Sequence, residues 1–348
     1  MTSVFDEAVD LAVLERWLDQ QDVGEGELTE VRPLAGGTQN VLVRFRRGED
    51  DLVLRRPGLR PRQNASRLIL REAQVLRALD RTAVPHPELI AVCKDESVMG
   101  STAFLVMRAV DGFNPGESIP AAYQSTDALR AIAAQSISTL ADIAMVDYEV
   151  CGLADFGRPD GFLHRQVDRW SAEYEGYAEV PEYAGPQLPG FEGVRDYLAE
   201  RVPPVFTPGL MHGDYHLANL IMGERDGQLE AVVDWEMSTI GDPLLDLGRY
   251  LAMLPDDHET IFDSPEVTSV AGAMSAEEVV GLYEARVGRS VDHLDWYIML
   301  GCYKLGIVLE GTYVRACAGK ASREVGLMLH SAACRLFERA VRIAGVAA

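Results

Sequence analysis

Leu210-Met-His-Gly-Asp-Tyr-His-Leu-Ala-Asn-Leu-Ile221, answered by Val232-Val-Asp-Trp-Glu236, is the stretch on which the reading of this chain turns. A short apolar run delivers His212, then Asp214, and five residues later Asn219. A second apolar run, Ala231 to Val233, delivers Asp234. Two strand-like runs that each end in a carboxylate, with an amide between them, suit a divalent cation and a general base. Mg²⁺ prefers hard oxygen ligands and keeps several waters, so one Asn oxygen and one Asp carboxylate suffice when phosphates supply the rest. A zinc site built from His212, Asp214 and His216 is the rival. It needs the two histidines on one helical face, and Gly213 together with the strand context opposes a helix here.

The H-x-D-x-x-x-x-N spacing is that of the kinase catalytic loop, in which the Asp accepts the substrate hydroxyl's proton and the Asn holds metal. With Asp234-Trp-Glu-Met-Ser-Thr-Ile-Gly-Asp-Pro-Leu-Leu-Asp-Leu247, it makes the chain resemble the aminoglycoside phosphotransferase family, the small-molecule branch of the protein-kinase-like superfamily. Val53-Leu-Arg-Arg-Pro57, Arg165-Gln166 with Trp170, and Glu310-Gly-Thr-Tyr-Val-Arg315 draw it toward one subgroup. That subgroup includes the kinase-like domain fused to certain acyl-CoA dehydrogenases. The similarity runs from about Leu34 to Gly319.

The resemblance implies an α+β, bilobal, protein-kinase-like fold: a small antiparallel-sheet lobe with one key helix, and a larger, mainly helical lobe. A packing helix is expected in residues 1–27, the nucleotide-binding lobe in 28–107, and the catalytic and substrate-binding lobe in 108–348. The implied activity moves the γ-phosphoryl group of ATP or GTP, with Mg²⁺, to a hydroxyl of a small molecule. Asp214 would orient that hydroxyl and take its proton, and His216 would stand near the transferred group. Asn219 and Asp234 would hold the metal, with Glu236 joining its shell through water. By resemblance, backbone groups near Met107, Arg108 and Val110 form the hinge that binds the adenine edge. C-terminal helices wall the acceptor pocket in this family, which makes Lys304, Glu310, Tyr313 and Arg315 acceptor-side candidates beside Glu236.

Composition bounds the alternatives. A chain of 348 residues exceeds the usual single-core size, so two lobes are the default. The net charge of −22 opposes a nucleic-acid partner, because a phosphate backbone needs a basic footprint. The acid is uneven: residues 1–112 hold 15 Lys and Arg against 18 Asp and Glu, and the remainder holds 17 against 36. An acidic second lobe would attract a cationic acceptor such as an aminoglycoside. The arginine-rich first lobe and the dehydrogenase-linked subgroup point instead to a hydroxyacyl-CoA or another endogenous metabolite. No apolar run approaches the ~20 residues of a membrane span. Five scattered cysteines without a C-x-x-C pair, and an acidic first ten residues, fit a cytoplasmic protein with reduced thiols.

Along the chain, Asp6 to Gln20 carries apolar residues at helical spacing. Val31 to Leu54 reads as three strands, with Gly36, Gly37 and Thr38 in the first loop, where backbone N–H groups can approach phosphate oxygens. In Leu52-Val-Leu-Arg55, period-2 alternation puts Val53 and Arg55 on one face. In a kinase strand this face carries a small residue over the adenine and a Lys on the phosphates; here the second position is Arg. Its planar fork binds phosphate bidentately and keeps its charge. The helix from about Ala65 to Leu79 places Glu72 amid an apolar face, where a carboxylate is costly unless paired, and the kinase resemblance implies Arg55 as its partner. The Arg in place of Lys, and a loop short of a full G-x-G-x-x-G, keep open a catalytically weak pseudokinase or ligand-binding module. Asp127 to Met145 reads as a core helix capped by Ser125 or Thr126. Asp242 and Asp246 read as carboxylates that hold the catalytic loop in shape.

Overall fold

The computed structural model describes residues 8–34, 40–59, 61, 63–185, 188–256, 260–262 and 269–346. Gly36, Gly37 and Thr38 lie outside the described residues. In chain order the elements are α1 (Leu11–Gln20), β1 (Leu28–Pro33), β2 (Asn40–Arg47), β3 (Asp50–Pro57), α2 (Ala65–Leu79), β4 (Leu89–Cys93) and β5 (Phe104–Arg108). There follow α3 (Thr126–Ala144), α4 (Phe162–Gly176), α5 (Phe191–Glu200), β6 (Gly209–Met211), β7 (Leu220–Met222), β8 (Leu229–Val232) and β9 (Thr239–Gly241). The chain ends with α6 (Leu244–Ala252), α7 (Ala276–Val287), α8 (Leu294–Cys317) and α9 (Arg323–Ala344). None of the described helices is long and apolar enough to cross a membrane.

Two compact units emerge. The first comprises Met1–Phe113, Cys151–Leu153 and Asn219–Ser238; the second comprises Asn114–Val150, Ala154–Ala218 and Thr239–Ala348. The segment Asn219–Ser238 therefore packs with the sheet-bearing unit, whereas the sequence reading placed it with the helical lobe.

The first unit is an antiparallel sheet in the order β1-β2-β3-β5-β4. Alternation along β3 decides what each face does. Leu52 and Leu54 point to one side, into a core shared with Val43, Phe45, Phe104 and the α1 residues Leu14, Trp17 and Leu18. Trp17 meets Phe104 edge-on, ring centroids 4.6 Å apart. Val53 points to the other side and packs with Ile69 and Ala73 of α2 and with Leu105 and Met107. Because Arg55 lies two residues beyond Val53, the same pleat aims it at α2. The unit is completed by the β7–β8 hairpin.

The second unit is helical, with the small β6–β9 pair at its catalytic segment. Its core joins α4, α5, α8 and α9 through residues such as Trp170, Leu198, Tyr303 and Phe337. Ser125 caps α3, its hydroxyl accepting the Ala128 N–H. Helices α6 and α8 cross at glycines. A Cβ on Gly248 would lie 2.4 Å from the Tyr297 carbonyl oxygen, and one on Gly301 would lie 2.9 Å from the Gly248 carbonyl oxygen. That close crossing brings Arg249 of α6 and Lys304 of α8 to the same loop.

Candidate active site

In the first unit, Arg55 stands at the centre of a carboxylate cluster. Its Nε is 2.8 Å from Glu72 Oε2, its Nη2 2.5 Å from Asp234 Oδ1 and 3.1 Å from Glu236 Oε2. Asn40 Nδ2 donates to the same Glu236 oxygen at 2.8 Å. Arg55 and Glu72 are both buried, at 5% and 2% exposure, so each would be costly without the other. Burial pushes Glu72 up to about 7, with Arg55 and the Trp235 backbone opposing. Burial also works against the charge on Arg55, but Glu72, Asp234 and Glu236 together hold its pKa above the usual value. Three carboxylates within reach of one guanidinium leave the cluster short of positive charge.

Local backbone aims the acids. The Val233 N–H donates to the Asn219 carbonyl at 2.9 Å, continuing the β7–β8 pairing and setting Asn219 next to the chain that leads into Asp234. Asp234 itself is left-handed, φ 67 and ψ 58, a conformation that Asp tolerates better than most side chains. It turns the strand into a short 3₁₀ segment, Trp235–Met237, anchored by Trp235 Nε1 donating to the Val232 carbonyl at 2.8 Å. Among the described residues no three His, Cys, Asp or Glu side chains stand together as a metal cage. The oxygen donors Asn219 and Asp234 fit a hard cation that draws its remaining ligands from phosphates and water, and they do not fit zinc.

In the second unit, Asp214 sits on the loop after β6. Asp246, in the first turn of α6, accepts the His212 N–H at 2.7 Å and the Gly213 N–H at 3.0 Å. Lys304 Nζ donates to the Gly213 carbonyl at 2.7 Å, over the Trp170 ring. Gly213 has φ +83, which makes glycine the natural residue there. His212 is buried, and its Nδ1 accepts the Asp214 N–H at 3.3 Å. Tyr215 ties the loop to α3, donating to the Ser136 carbonyl at 2.7 Å. Asp242 accepts from Tyr297 at 2.6 Å and from the Leu244 N–H at 3.1 Å. Asp246 thus holds the loop, as the sequence reading expected, whereas Asp242, expected to do the same, ties the start of α6 to α8.

The Asp214 carboxylate faces Arg249 and His216. Arg249 Nη2 lies 2.6 Å from its Oδ1 and His216 Nε2 3.4 Å from its Oδ2. Burial would raise its pKa, but Arg249, then His216 and Lys304, hold it well below the usual carboxylate range. Burial, then Arg249, lowers Lys304. Beside this carboxylate is a cavity of about 290 Å³ lined by Tyr215, His216, Arg249, Met253, Phe262 and Leu305 among others.

The remaining candidates fall elsewhere. Glu236 belongs to the Arg55 cluster of the first unit and does not line this cavity. Glu310 is fully buried and engaged by Tyr183 and by His330, each at 2.7 Å, so it ties helices together. Tyr313 stacks on His330 at 4.5 Å, and Arg315 donates to Thr312 Oγ1. Of the hinge candidates, Met107 is paired with Val53 and Leu89 in the sheet. The Arg108 N–H is spent on the Glu88 carbonyl, and its exposed side chain pairs with Glu88 and Asp50. Val110, two residues past β5, is partly buried. The sequence reading missed Arg249 and Asn40. Arg249 lies three residues after Asp246, one helical step along the same face, and that spacing was the available signal.

A family model described as the phosphotransferase enzyme family matches residues 30–274. The chain is 29% identical over 303 residues to acyl-CoA dehydrogenase family member 11 of Gallus gallus, covering 84% of this chain and 38% of that protein. It is also 29% identical over 277 residues to a probable acyl-CoA dehydrogenase of Arabidopsis thaliana, covering 74% and 33%. The chain therefore spans well under half the length of these relatives. Among solved structures, a provisionally named aminoglycoside phosphotransferase of Ralstonia eutropha superposes with a TM-score of 0.79 at 27% identity, covering 97% of this chain and 99% of that one. An aminoglycoside phosphotransferase solved with GDP and kanamycin shares the fold at a TM-score of 0.61 and 19% identity, covering 96% and 99%.

Proposed function

The chain belongs to the phosphotransferase enzyme family, and from that premise we propose that it moves the γ-phosphoryl group of a magnesium nucleotide, ATP or GTP, to a hydroxyl of a small molecule. The observation that carries this reading is the division of charge. The Arg55 cluster gathers three carboxylates on one guanidinium, while the Asp214 carboxylate is gripped by Arg249 and faces His216. Asn219 and Asp234 would hold Mg²⁺, which when bound neutralises the phosphates. Glu72 aims Arg55 at the nucleotide. Asp214 orients the acceptor hydroxyl and takes its proton; the hydroxyl oxygen bonds to the γ-phosphorus as the bond to the bridging oxygen breaks, releasing the nucleoside diphosphate. Positioning and charge neutralisation do most of this catalysis.

The cavity favours one acceptor class. Among the described lining residues, Met253, Leu254, Phe262, Leu305 and Leu309 form an apolar wall and Arg249 carries the charge. An apolar wall with one guanidinium suits a hydroxyl on an apolar chain, as in a hydroxyacyl thioester, better than a polycationic aminosugar. This local chemistry outweighs the diffuse acidity of the second part of the chain, whose exposed charges are screened over about 10 Å at 0.1 M salt. Release of ADP from Mg-ATP, followed with hydroxyacyl-CoAs, kanamycin, hygromycin B and amino alcohols, tests it. Acceleration by a hydroxyacyl-CoA is expected. Acceleration by the aminoglycosides alone would overturn the acceptor class, and nucleotide binding without transfer to any acceptor would leave a ligand-binding module.

A further inference from the structure

We propose that Arg249 is the positioning residue for Asp214, fixing the orientation of its carboxylate toward the acceptor hydroxyl. The inference rests on the reading of Asp214 as the base. Arg249 Nη2 grips Oδ1 at 2.6 Å, and His216 Nε2 lies 3.4 Å from Oδ2. A carboxylate gripped by a buried guanidinium loses its freedom to rotate, so its orientation is set before an acceptor arrives.

The clamp is built on the element that holds the loop's backbone. Asp246 and Arg249 sit one turn apart on α6, the first accepting the His212 and Gly213 N–H groups and the second gripping the Asp214 side chain. Arg249 is only 8% exposed, and the α6–α8 crossing at Gly248 and Gly301 leaves it little room to withdraw. Among the described residues, the titratable and charged groups that act on Asp214 include Arg249 from α6, Lys304 from α8 and His216 from the loop itself, with Asp246 behind the backbone. Arg249 also belongs to the cavity wall, where it is the one permanently charged side chain among the described lining residues. It therefore touches both the space for the acceptor and the group that receives the acceptor's proton. Its cationic neighbours keep Asp214 ionised, so the carboxylate is ready as an acceptor without first shedding a proton.

The first arm of the test needs no known acceptor. The whole protein, labelled with ¹³C-carboxyl aspartate and saturated with Mg-ADP, is titrated by NMR, with the Asp214 signal assigned by Asp214→Asn. In the wild type that signal is expected to stay ionised over the folded range. In Arg249→Met it should titrate about one pH unit or more higher, because a neighbouring cation has been lost. In Arg249→Lys, which keeps the charge and loses the fork, the titration should stay near wild type. Turnover of Mg-ATP with the best hydroxyacyl-CoA should fall about 100-fold in Arg249→Met and about tenfold in Arg249→Lys, with Mg-ADP affinity within about threefold. An Asp214 titration identical in wild type and Arg249→Met would overturn the proposal. Should Arg249→Met not fold, undiminished turnover in Arg249→Lys would overturn it equally. Undiminished turnover in Asp214→Asn would instead sink the assignment of the base, leaving the measured ion pair intact.

Discussion

The molecule carries two arginine–carboxylate clusters, and they are opposite in balance. Around Arg55 one guanidinium meets three carboxylates; around Asp214 one carboxylate meets Arg249, His216 and, through the loop, Lys304. Both use a buried arginine, yet the consequences differ in sign. In the first cluster burial pushes a carboxyl up, Glu72 to about 7, and the surplus negative charge calls for a cation. In the second the cations pull Asp214 well below the usual range and hold it as a charged acceptor. On the function proposed, the same ion-pair chemistry would serve metal and phosphate in one place and a proton in the other.

The comparison can be broken at several points. The largest effect is expected from Asp214→Asn: about a 10³-fold loss of turnover with Mg-ADP affinity changed by no more than about threefold, read by ADP release and calorimetry. Equal losses in turnover and nucleotide affinity would show that the two clusters do not divide the labour. Asp234→Asn should do the reverse, raising the Mg²⁺ concentration for half-maximal activity by about tenfold or more, as a magnesium titration at fixed nucleotide would reveal. Arg55→Met should strand Glu72 in the core. A destabilisation of about 3–5 kcal/mol is expected, the range for an orphaned buried charge, and thermal unfolding would measure it. Arg55→Lys should recover most of it, since a single ammonium still reaches Glu72. The smallest effect is expected from Gly248→Ala, where the new methyl meets the Tyr297 carbonyl. It should cost about 1–3 kcal/mol and lower turnover while sparing nucleotide binding, because it displaces the helix that carries Arg249.

Much of this was legible in the chain. The pairing of Arg55 with Glu72 was implied by the kinase resemblance, to which a period-2 strand and a 3.6-period helix added one charged residue each on an apolar face. The loop-holding role of Asp246 was expected from its place after the His212–Asp214 segment; Asp242, expected to do the same, engages Tyr297 and Leu244 instead. Arg249 was only faintly legible: its spacing from Asp246 was the signal, but an arginine on an amphipathic helix looks like any solvated side chain until the α6–α8 crossing buries it. Glu310, an acceptor-side candidate by resemblance, has its contacts decided by tertiary structure, where Tyr183 and His330 close around it. The apolar character of the cavity was hidden too, since Met253, Phe262 and Leu305 lie on separate segments and their sum has no local pattern.

By itself the sequence determined the family, the strands and helices, and the identity of the acids, because these depend on spacing along a chain whose periodicity is set by its backbone. Tertiary structure decided which charges meet, which are stripped of water and what lines the space beside Asp214. Those outcomes depend on groups brought together from distant positions, and the strength of a charge depends on the surroundings that folding assembles.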